Sequence, residues 1–245
     1  MSLSDLFNDV IDQESSVAQL QKASENPLHA YLFVGPKGSC KWKAAKAFAA
    51  MIMANTNGDD NQERTTNLIV KGDHPDVIRI EPTGNQYRDD DVQKIINEAS
   101  RSPIEGKKKI IVANRFHTAN ETAVGRLLKT LEEPPETVII ILLSEIIPKN
   151  QITIASRCQK VQFNQISDSA MRNWLTQHIN DPQSIQLIIT AARGDIDRAK
   201  DLISDPNIAH RYELWKSTLK NLNPEGHAIA TSVNELQGAI DEAQV

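Results

Sequence analysis

Apolar and polar residues follow two different periodicities along the chain. Up to about residue 164, short runs of consecutive apolar residues alternate with longer stretches in which apolar residues recur every three or four positions. Short runs bounded by turn residues are typical of buried strands, and the longer spacing is typical of helices. The runs predicted to be strands span residues 30–34, 76–82, 108–113, 137–144 and 160–163.

The stretches between these runs predict helices, and the alternation stops near residue 165. The helices are predicted over 3–24, 41–54, 89–100 and 121–133, with a polar loop over 55–67. Because the run 137–144 is apolar at consecutive positions, it favours a parallel sheet covered on both faces. We therefore predict a doubly wound α/β domain. The later residues predict a second, all-helical domain, with helices over 171–179, 184–192, 195–203 and 209–219.

Composition narrows the class of protein. The 245 residues are 40% hydrophobic and carry a formal net charge of −5, so the overall balance does not favour a dedicated nucleic-acid binder. The two cysteines, Cys40 and Cys158, are too few for a disulfide framework or a four-cysteine zinc site and fit a reducing compartment. With no apolar run of about 18 residues and no signal-peptide pattern in the first ten residues, we predict a cytoplasmic protein without a membrane segment.

The stretch GPKGSCKW, residues 35–42, nearly matches a phosphate-binding loop. Such loops read G-x-x-x-x-G-K-[ST] between a strand and a helix, and the predicted strand 30–34 and helix 41–54 supply that context. Gly35 and Lys41 stand at the first glycine and the lysine of the pattern, and Gly38 and Ser39 keep the turn small. The start of the helix would attract an anion, so weak phosphate binding is conceivable.

Four positions of the same candidate site depart from the pattern. Cys40 replaces the second glycine, and Trp42 replaces the hydroxyl residue that binds Mg²⁺. After the strand 108–113, Asn114 and Arg115 stand where an ATPase places its acidic residues. We therefore predict no tight binding of Mg-ATP and no cofactor. The alternative is a lysine-rich turn and solvated strand ends that never bound nucleotide.

Four segments in this order carry a resemblance to a known family. They read HAYLFVGPKGS, HPDVIRIEP, GRLLKTLEEPPETVIIILLSE and ASRCQKVQF. Together they resemble the bacterial DNA polymerase III clamp-loader family of the AAA+ class, its delta-prime type first and its gamma/tau type second. The resemblance covers about residues 5–205, and LLKTLEEPP combined with SRC is its most specific part.

The resemblance implies a domain organisation and a set of partners. It implies an AAA+ ATPase-like α/β domain with a degenerate nucleotide site over 1–164, a small helical lid domain over 165–206, and the start of an incomplete helical collar domain over 207–245. The implied partners are gamma/tau-like ATPase subunits and a delta-like subunit. The sliding clamp and primed DNA would be reached through the assembly, and no membrane is involved.

The resemblance also implies roles for individual residues. In the SRC segment, Arg157 would be an arginine finger that reaches the ATP site of a neighbouring subunit. An arginine paired within its own domain is the alternative. Ser144 and Arg198 match the two sensor positions, and Val10 with Ile11 matches an adenine-contacting segment; with the loop altered, we expect all four to be structural remnants.

Two departures from the family pattern are also visible. The segment 55–67 has no cysteine where many relatives carry four zinc ligands, so no zinc is predicted. The sequence GRLLK replaces the more usual NALLK, which places Gly125 and Arg126 inside a helix.

Three functions remain at this point. The first is a non-catalytic clamp-loader subunit, not an enzyme on its own, that scaffolds a neighbouring ATPase and completes its site. The second is an active ATPase of gamma/tau type, against which the four departures in the candidate nucleotide site argue. The third is a DNA-binding adaptor that uses basic clusters, which would be Lys37, Lys41, Lys43 and Lys46, or the run 107–109.

Overall fold

A five-stranded parallel sheet forms the centre of the first part of the molecule. The computed structural model describes residues 3–57 and 62–204 of the chain, which divides into two compact units, Met1–Ile166 and Ser167–Val245. Every strand predicted from the sequence is confirmed to within two residues at each end. The strands are β1 Ala30–Val34, β2 Val77–Ile80, β3 Lys109–Ala113, β4 Val138–Ser144 and β5 Gln159–Gln162.

The strand order is β2-β3-β4-β1-β5, with all pairs parallel. The central strand β4 places Ile140 beside Ala30 of β1 and Ile111 of β3, and all seven of its residues are buried. A strand with apolar residues on both faces is stable only where helices cover both faces. The predicted doubly wound α/β fold is thereby confirmed.

The helices of the first unit cover the two faces of this sheet. On one face, alternate strand residues pack against buried residues of the two helices 89–99 and 121–132. On the other face, Tyr31 meets Phe48 with ring centroids 4.8 Å apart. The α-helices are α1 Glu14–Glu25, α2 Lys41–Asn57, α3 Gln62–Lys71, α4 Asp89–Ala99, α5 Glu121–Glu132 and α6 Ile152–Ala155; short 3-10 helices span Leu3–Phe7, Phe116–Thr118 and Lys149–Gln151.

Two of the predicted elements are wrong. The predicted helix 3–24 is broken, because a turn after Phe7 and a left-handed residue, Asp12 with φ 59°, separate the first 3-10 helix from α1. The predicted loop 55–67 contains the start of α3, which buries Thr65, Thr66 and Ile69 on one side. Because two of those three residues are threonines, apolar periodicity could not reveal this helix.

The described residues of the second unit are helical. They form α7 Asp168–Leu175, α8 Pro182–Ala192 and α9 Ile196–Ile203, and each helix begins after a residue whose side chain caps it: Ser167, Asp181 and Asp195. These helices agree with the predicted helical pattern after residue 167. The predicted helix 209–219 and the predicted domain 207–245 lie outside the described residues.

Candidate functional site

The loop 35–42 follows β1 and leads directly into α2, as a phosphate-binding loop does. Gly35 donates its backbone N–H to the carbonyl of Ser144 at 3.1 Å, which holds the start of the loop against the end of β4. A Cβ at Gly35 would lie 2.4 Å from the carbonyl oxygen of Phe163, so only glycine fits there. This first glycine is therefore fixed by packing between β1 and the residue after β5.

The loop keeps its turn although the second glycine is replaced. Gly38 has φ 71° and Cys40 has φ 64°, both in the left-handed region. For a residue with a side chain, this conformation costs about 1 kcal/mol. Cys40 nevertheless adopts it, is buried, and accepts the first hydrogen bond of α2, from the N–H of Ala44 at 2.9 Å. The backbone of a phosphate loop thus persists around a cysteine.

Lys41 directs its ammonium group into its own loop. Its Nζ donates to the carbonyls of Gly35 and Pro36, each at 2.6 Å, and lies 3.3 Å from Oγ of Ser39. Ser39 is fully buried and donates to the same carbonyl of Pro36 at 2.8 Å. An anion entering the loop has to compete with these contacts for the lysine.

Trp42 contacts two cations at the position where the pattern has a hydroxyl. The guanidinium of Arg79, on β2, lies 4.5 Å from the centroid of its ring, and Nζ of Lys46 lies 5.8 Å from it. These are cation–π distances, which indicate a favourable contact with the electron-rich face of the indole. The position offers no oxygen ligand to Mg²⁺.

Glu81 joins the ends of β2 and β3 in a charged cluster that the sequence reasoning missed. It accepts hydrogen bonds from Nε of Arg79 at 2.6 Å and Nδ2 of Asn114 at 2.9 Å, and Nε of Arg115 lies 3.9 Å from its Oε2. Arg115, with φ 54°, also donates to the carbonyl of Gly84 at 2.9 Å. The carboxylate of Glu81, beside Asn114, is therefore already engaged by two arginines and an amide.

A sequence signal for Glu81 did exist. It is the first residue after β2, and the register places Ile80 beside Ala113, so Glu81 and Asn114 leave neighbouring strands together. Ligand sites in parallel sheets lie at these carboxyl ends. The adjacency of β2 and β3, which sequence periodicity does not give, was the missing information.

Ser144 and His117 lie near the same end of the sheet. The Oγ of Ser144 is buried and has no hydrogen-bond partner among the described residues. His117 accepts the backbone N–H of Glu145 on Nδ1 at 3.2 Å. Burial lowers the pKa of His117; the charge of Glu145 opposes this shift, and those of Lys41 and Arg115 add to it. His117 is therefore neutral at neutral pH.

Arg157 lies at the opposite edge of the sheet from the loop, because it precedes β5 whereas the loop follows the parallel neighbour β1. It follows the short helix α6, and its Nη2 donates to Oε1 of Glu132 at 2.6 Å. Its Nη1 donates to the carbonyl of Thr153 at 3.0 Å and lies 3.5 Å from Oγ of Ser156. About a third of the Arg157 side chain is exposed. The predicted alternative, an ion pair within the domain, is present in this structure.

The remaining predicted residues differ in their burial. Burial raises the pKa of Cys158 to about 12, which makes its thiol unreactive at neutral pH. Val10 is buried and Ile11 half-buried in the turn before α1. Arg198 is exposed in the first turn of α9, in the second unit. The roles assigned to Ser144, Arg198, Val10 and Ile11 stay predictions.

A parallel sheet with a glycine-containing loop between β1 and α2 defines a P-loop-type α/β domain. A family model described as DNA polymerase III, delta subunit, matches residues 12–167. The chain belongs to this family, within the DNA polymerase III clamp-loader proteins, and the resemblance drawn from the sequence is confirmed.

Individual relatives agree with this assignment. The chain is 33% identical over 208 residues to subunit tau of Bacillus subtilis DNA polymerase III, covering 80% of this chain and 37% of that protein. It is 30% identical over 162 residues to subunit delta' of the same organism, covering 65% of this chain and 49% of that protein. The chain thus spans between about a third and a half of the length of these relatives.

A solved structure supports the fold. The chain is similar to a gamma subunit-related protein of DNA polymerase III from Thermotoga maritima, with a TM-score of 0.57 and 18% identity over 90% of this chain and 70% of that one. Within residues 3–57 and 62–204, no helix has the length and apolar character needed to cross a membrane. The same residues contain no group of three or more His, Cys, Asp or Glu side chains placed to hold a metal ion.

Proposed function

We propose that the chain acts in DNA replication as a non-catalytic subunit of a DNA polymerase III clamp loader, which scaffolds a neighbouring ATPase subunit and completes its ATP site with Arg157. One contrast carries the proposal. The chain's own loop is occupied by Lys41, whereas Arg157 is partly exposed on another surface. Binding or hydrolysis of ATP by this chain itself is not part of the proposed role.

The side chains around the loop disfavour a working ATP site on chemical grounds. Mg²⁺ prefers hard oxygen ligands. At the two positions that normally supply them, Trp42 offers an indole and Asn114 directs its amide nitrogen toward Glu81. Glu81 itself is engaged by Arg79, so a metal would have to displace a guanidinium. Binding of Mg-ATP to this loop is therefore expected to be weak.

The N–H donors of Arg157 suit contact with a phosphate. A guanidinium has five N–H groups in a planar fork that matches phosphate oxygens. In the described part of the chain, Nη1 contacts Thr153 and Ser156 and Nη2 contacts Glu132, so Nε and one N–H of Nη2 have no partner. The pair with Glu132 is exposed and is worth at most about 1 kcal/mol. A triphosphate on a neighbour can therefore share the arginine.

The surface around Arg157 also fits a protein partner. Ile152, at the start of α6 and five residues before Arg157 in the chain, is 60% exposed. Large apolar side chains at the surface are typical of the centre of protein interfaces. The proposed partners are a gamma/tau-like ATPase subunit and a delta-like subunit, with the sliding clamp and primed DNA reached through the assembly.

The DNA-adaptor alternative is not favoured by the positions of its lysines. Lys109 is buried, with 2% of its side chain exposed, and lies 3.5 Å from a carboxylate oxygen of Glu98. Lys43 donates to the carbonyl of Asp9 at 3.2 Å, and Lys46 donates to that of Val70 at 2.6 Å. These ammonium groups are held within the domain rather than presented together to a phosphate backbone.

The test uses a binary complex of this chain with a gamma/tau-type ATPase subunit from the same organism, so that one ATP site is completed by this chain. We expect Arg157→Ala to lower ATP hydrolysis about 10³-fold at intact assembly, since a finger supplied in trans is worth at least that much. The matched control is Arg115→Ala. Arg115 is similarly exposed and also lies near a glutamate, and its loss should change the rate less than about twofold.

Each contrary result has a separate meaning. An unchanged rate for Arg157→Ala in an intact complex would leave scaffolding and remove the finger. Failure of the full-length chain to bind any ATPase subunit, measured by size-exclusion chromatography, would remove the proposed function altogether.

A further inference from the structure

Glu132, at the end of α5, holds the side chain of Arg157 through a hydrogen bond of 2.6 Å. We propose that Glu132 is a positioning residue that sets the direction in which Arg157 presents its open donors. The inference rests on the proposed function of Arg157. It assigns a role to a residue of the segment LEEPP, residues 131–135, which is part of the resemblance to the clamp-loader family.

The backbone that carries Glu132 is fixed on both sides. The preceding residue, Leu131, is 2% exposed and belongs to the core beneath the sheet. The following residue, Glu133, donates its N–H to the carbonyl of Lys129 at 3.2 Å, and Pro134 comes next and cannot continue the helix. The carboxylate therefore extends from a fixed point, although it is itself half exposed.

A second anchor comes from α6. The carbonyl of Thr153 accepts from Nη1 of Arg157 at 3.0 Å while Glu132 accepts from Nη2. Two acceptors on two different elements hold both terminal nitrogens of the planar guanidinium and so fix its plane. The edge that includes Nε is left open. A long arginine side chain ordered in advance loses less conformational entropy when it meets a phosphate.

The geometry also indicates that Glu132 positions Arg157 and does not hold it away from a neighbouring subunit. An exposed ion pair is weak, so Glu132 is a poor lock for keeping Arg157 away from a neighbour. Its carboxylate uses one N–H of Nη2, which leaves the other and Nε available at the same time. Removal of Glu132 should therefore slow hydrolysis at the neighbouring site, whereas removal of a lock would speed it.

The experiment uses the same binary complex and measures kcat and KM for ATP. We expect Glu132→Ala to lower kcat about fivefold, the effect of ordering one side chain, with KM changed less than about twofold. Glu132→Gln should keep at least about half of the rate, because its amide oxygen can accept the same hydrogen bond. The matched control is Glu133→Ala, which removes the same charge one residue away and should leave kcat unchanged.

A double variant separates this inference from the proposed function. In an Arg157→Ala background, Glu132→Ala should cause no further loss, because the two residues act as one unit. If the losses in kcat from Glu132→Ala and Arg157→Ala are additive, the positioning role is overturned. A wild-type or raised kcat for Glu132→Ala would overturn it too, provided that Arg157→Ala is slow. If Arg157→Ala is itself as fast as wild type, the proposed finger role of Arg157 fails first, and the positioning role of Glu132 fails with it. Glu132→Gln keeps the test valid should Glu132→Ala not fold.

Discussion

The loop region around Lys41 and the α6 region around Arg157 differ in how their charged side chains are paired. In the loop region, the ammonium of Lys41 turns onto loop carbonyls, and Glu81 is engaged by Arg79 and Asn114. In the α6 region, Arg157 is held at one edge and leaves two N–H groups without a partner among the described residues. A phosphate loop can thus keep its backbone conformation while its charged side chains are paired within the domain. Exposed N–H donors without a partner then distinguish a candidate contact for another subunit from the remnant of a nucleotide site.

The largest expected effect comes from rebuilding the loop region. The variant Cys40→Gly, Trp42→Thr, Asn114→Asp restores the second glycine, the hydroxyl ligand and the acid of the phosphate-loop pattern. We expect it to bind Mg-ATP on the order of 100-fold more tightly than the wild type, a gain of about 2.7 kcal/mol. Isothermal titration calorimetry measures this directly.

The control for the rebuilt loop is a further substitution, Lys41→Ala. If the added affinity arises from the loop, removal of this lysine should abolish it, because the lysine is the phosphate-contacting cation of the pattern. A wild-type chain that already binds Mg-ATP as tightly as the rebuilt variant would break the comparison between the two regions.

A smaller effect is expected from Asp91, which holds the turn containing Gly84 next to the loop region. Burial by itself raises the pKa of Asp91, but hydrogen bonds from Thr83, Arg88 and Lys94 outweigh it and leave the pKa at about 2. Because the folded pKa lies below the unfolded value, the stabilisation is present above about pH 4 and is lost as the pH falls toward 2. Its size is about 2 kcal/mol.

Urea unfolding of wild type and Asp91→Asn measures this contribution. The difference in free energy of unfolding should be largest near pH 6 and should shrink as the solution is brought to pH 3. Asp90→Asn is the matched control, since Asp90 is exposed one position earlier and its loss should change stability by less than about 0.5 kcal/mol. A difference that stays constant with pH would contradict the role given to Asp91.

The smallest effect concerns Gly125 in α5, the helix that ends at Glu132. A Cβ at this exposed position would meet nothing within 4 Å, so Gly125→Ala should stabilise the protein by about 1 kcal/mol and raise Tm by about 3 °C. The rate of ATP hydrolysis in the binary complex should not change. This result would show that the stability of α5 and the orientation of the Arg157 side chain are separate properties. Gly72→Ala, at φ 90°, should lower Tm instead. Stabilisation by both substitutions would contradict the argument.

The sequence predicted the three inner strands, β1, β3 and β4, well because every residue in them is buried. The consecutive apolar residues of β4 leave few alternatives, and the loop was found from Gly35 and Lys41. The start of α3 was missed because its buried face carries Thr65 and Thr66. Partners distant in sequence were also missed: Arg157 meets Glu132 across 25 positions, and this pairing depends on how α5 and α6 pack.

Arg126 is another residue whose partner could not be predicted from the sequence. Its place in α5 had no explanation in the sequence, yet its Nε lies 3.4 Å from Oδ2 of Asp89 at the start of α4. The ion pair joins two helices that pack side by side against the sheet. Contacts of this kind follow from three-dimensional neighbours, which periodicity along one chain does not contain.

The contact between Gly35 and Phe163 bears on how such proteins are recognised. Any larger residue at position 35 collides with the backbone after β5, whether or not the loop holds a nucleotide. This glycine can therefore outlast the loss of ATP binding, preserved by selection for folding alone. A sequence signature that counts Gly35 as evidence of nucleotide binding therefore does not separate shared ancestry from activity. The informative difference lies at positions 40 and 42, where Cys40 and Trp42 stand in place of the glycine and the hydroxyl residue of the pattern.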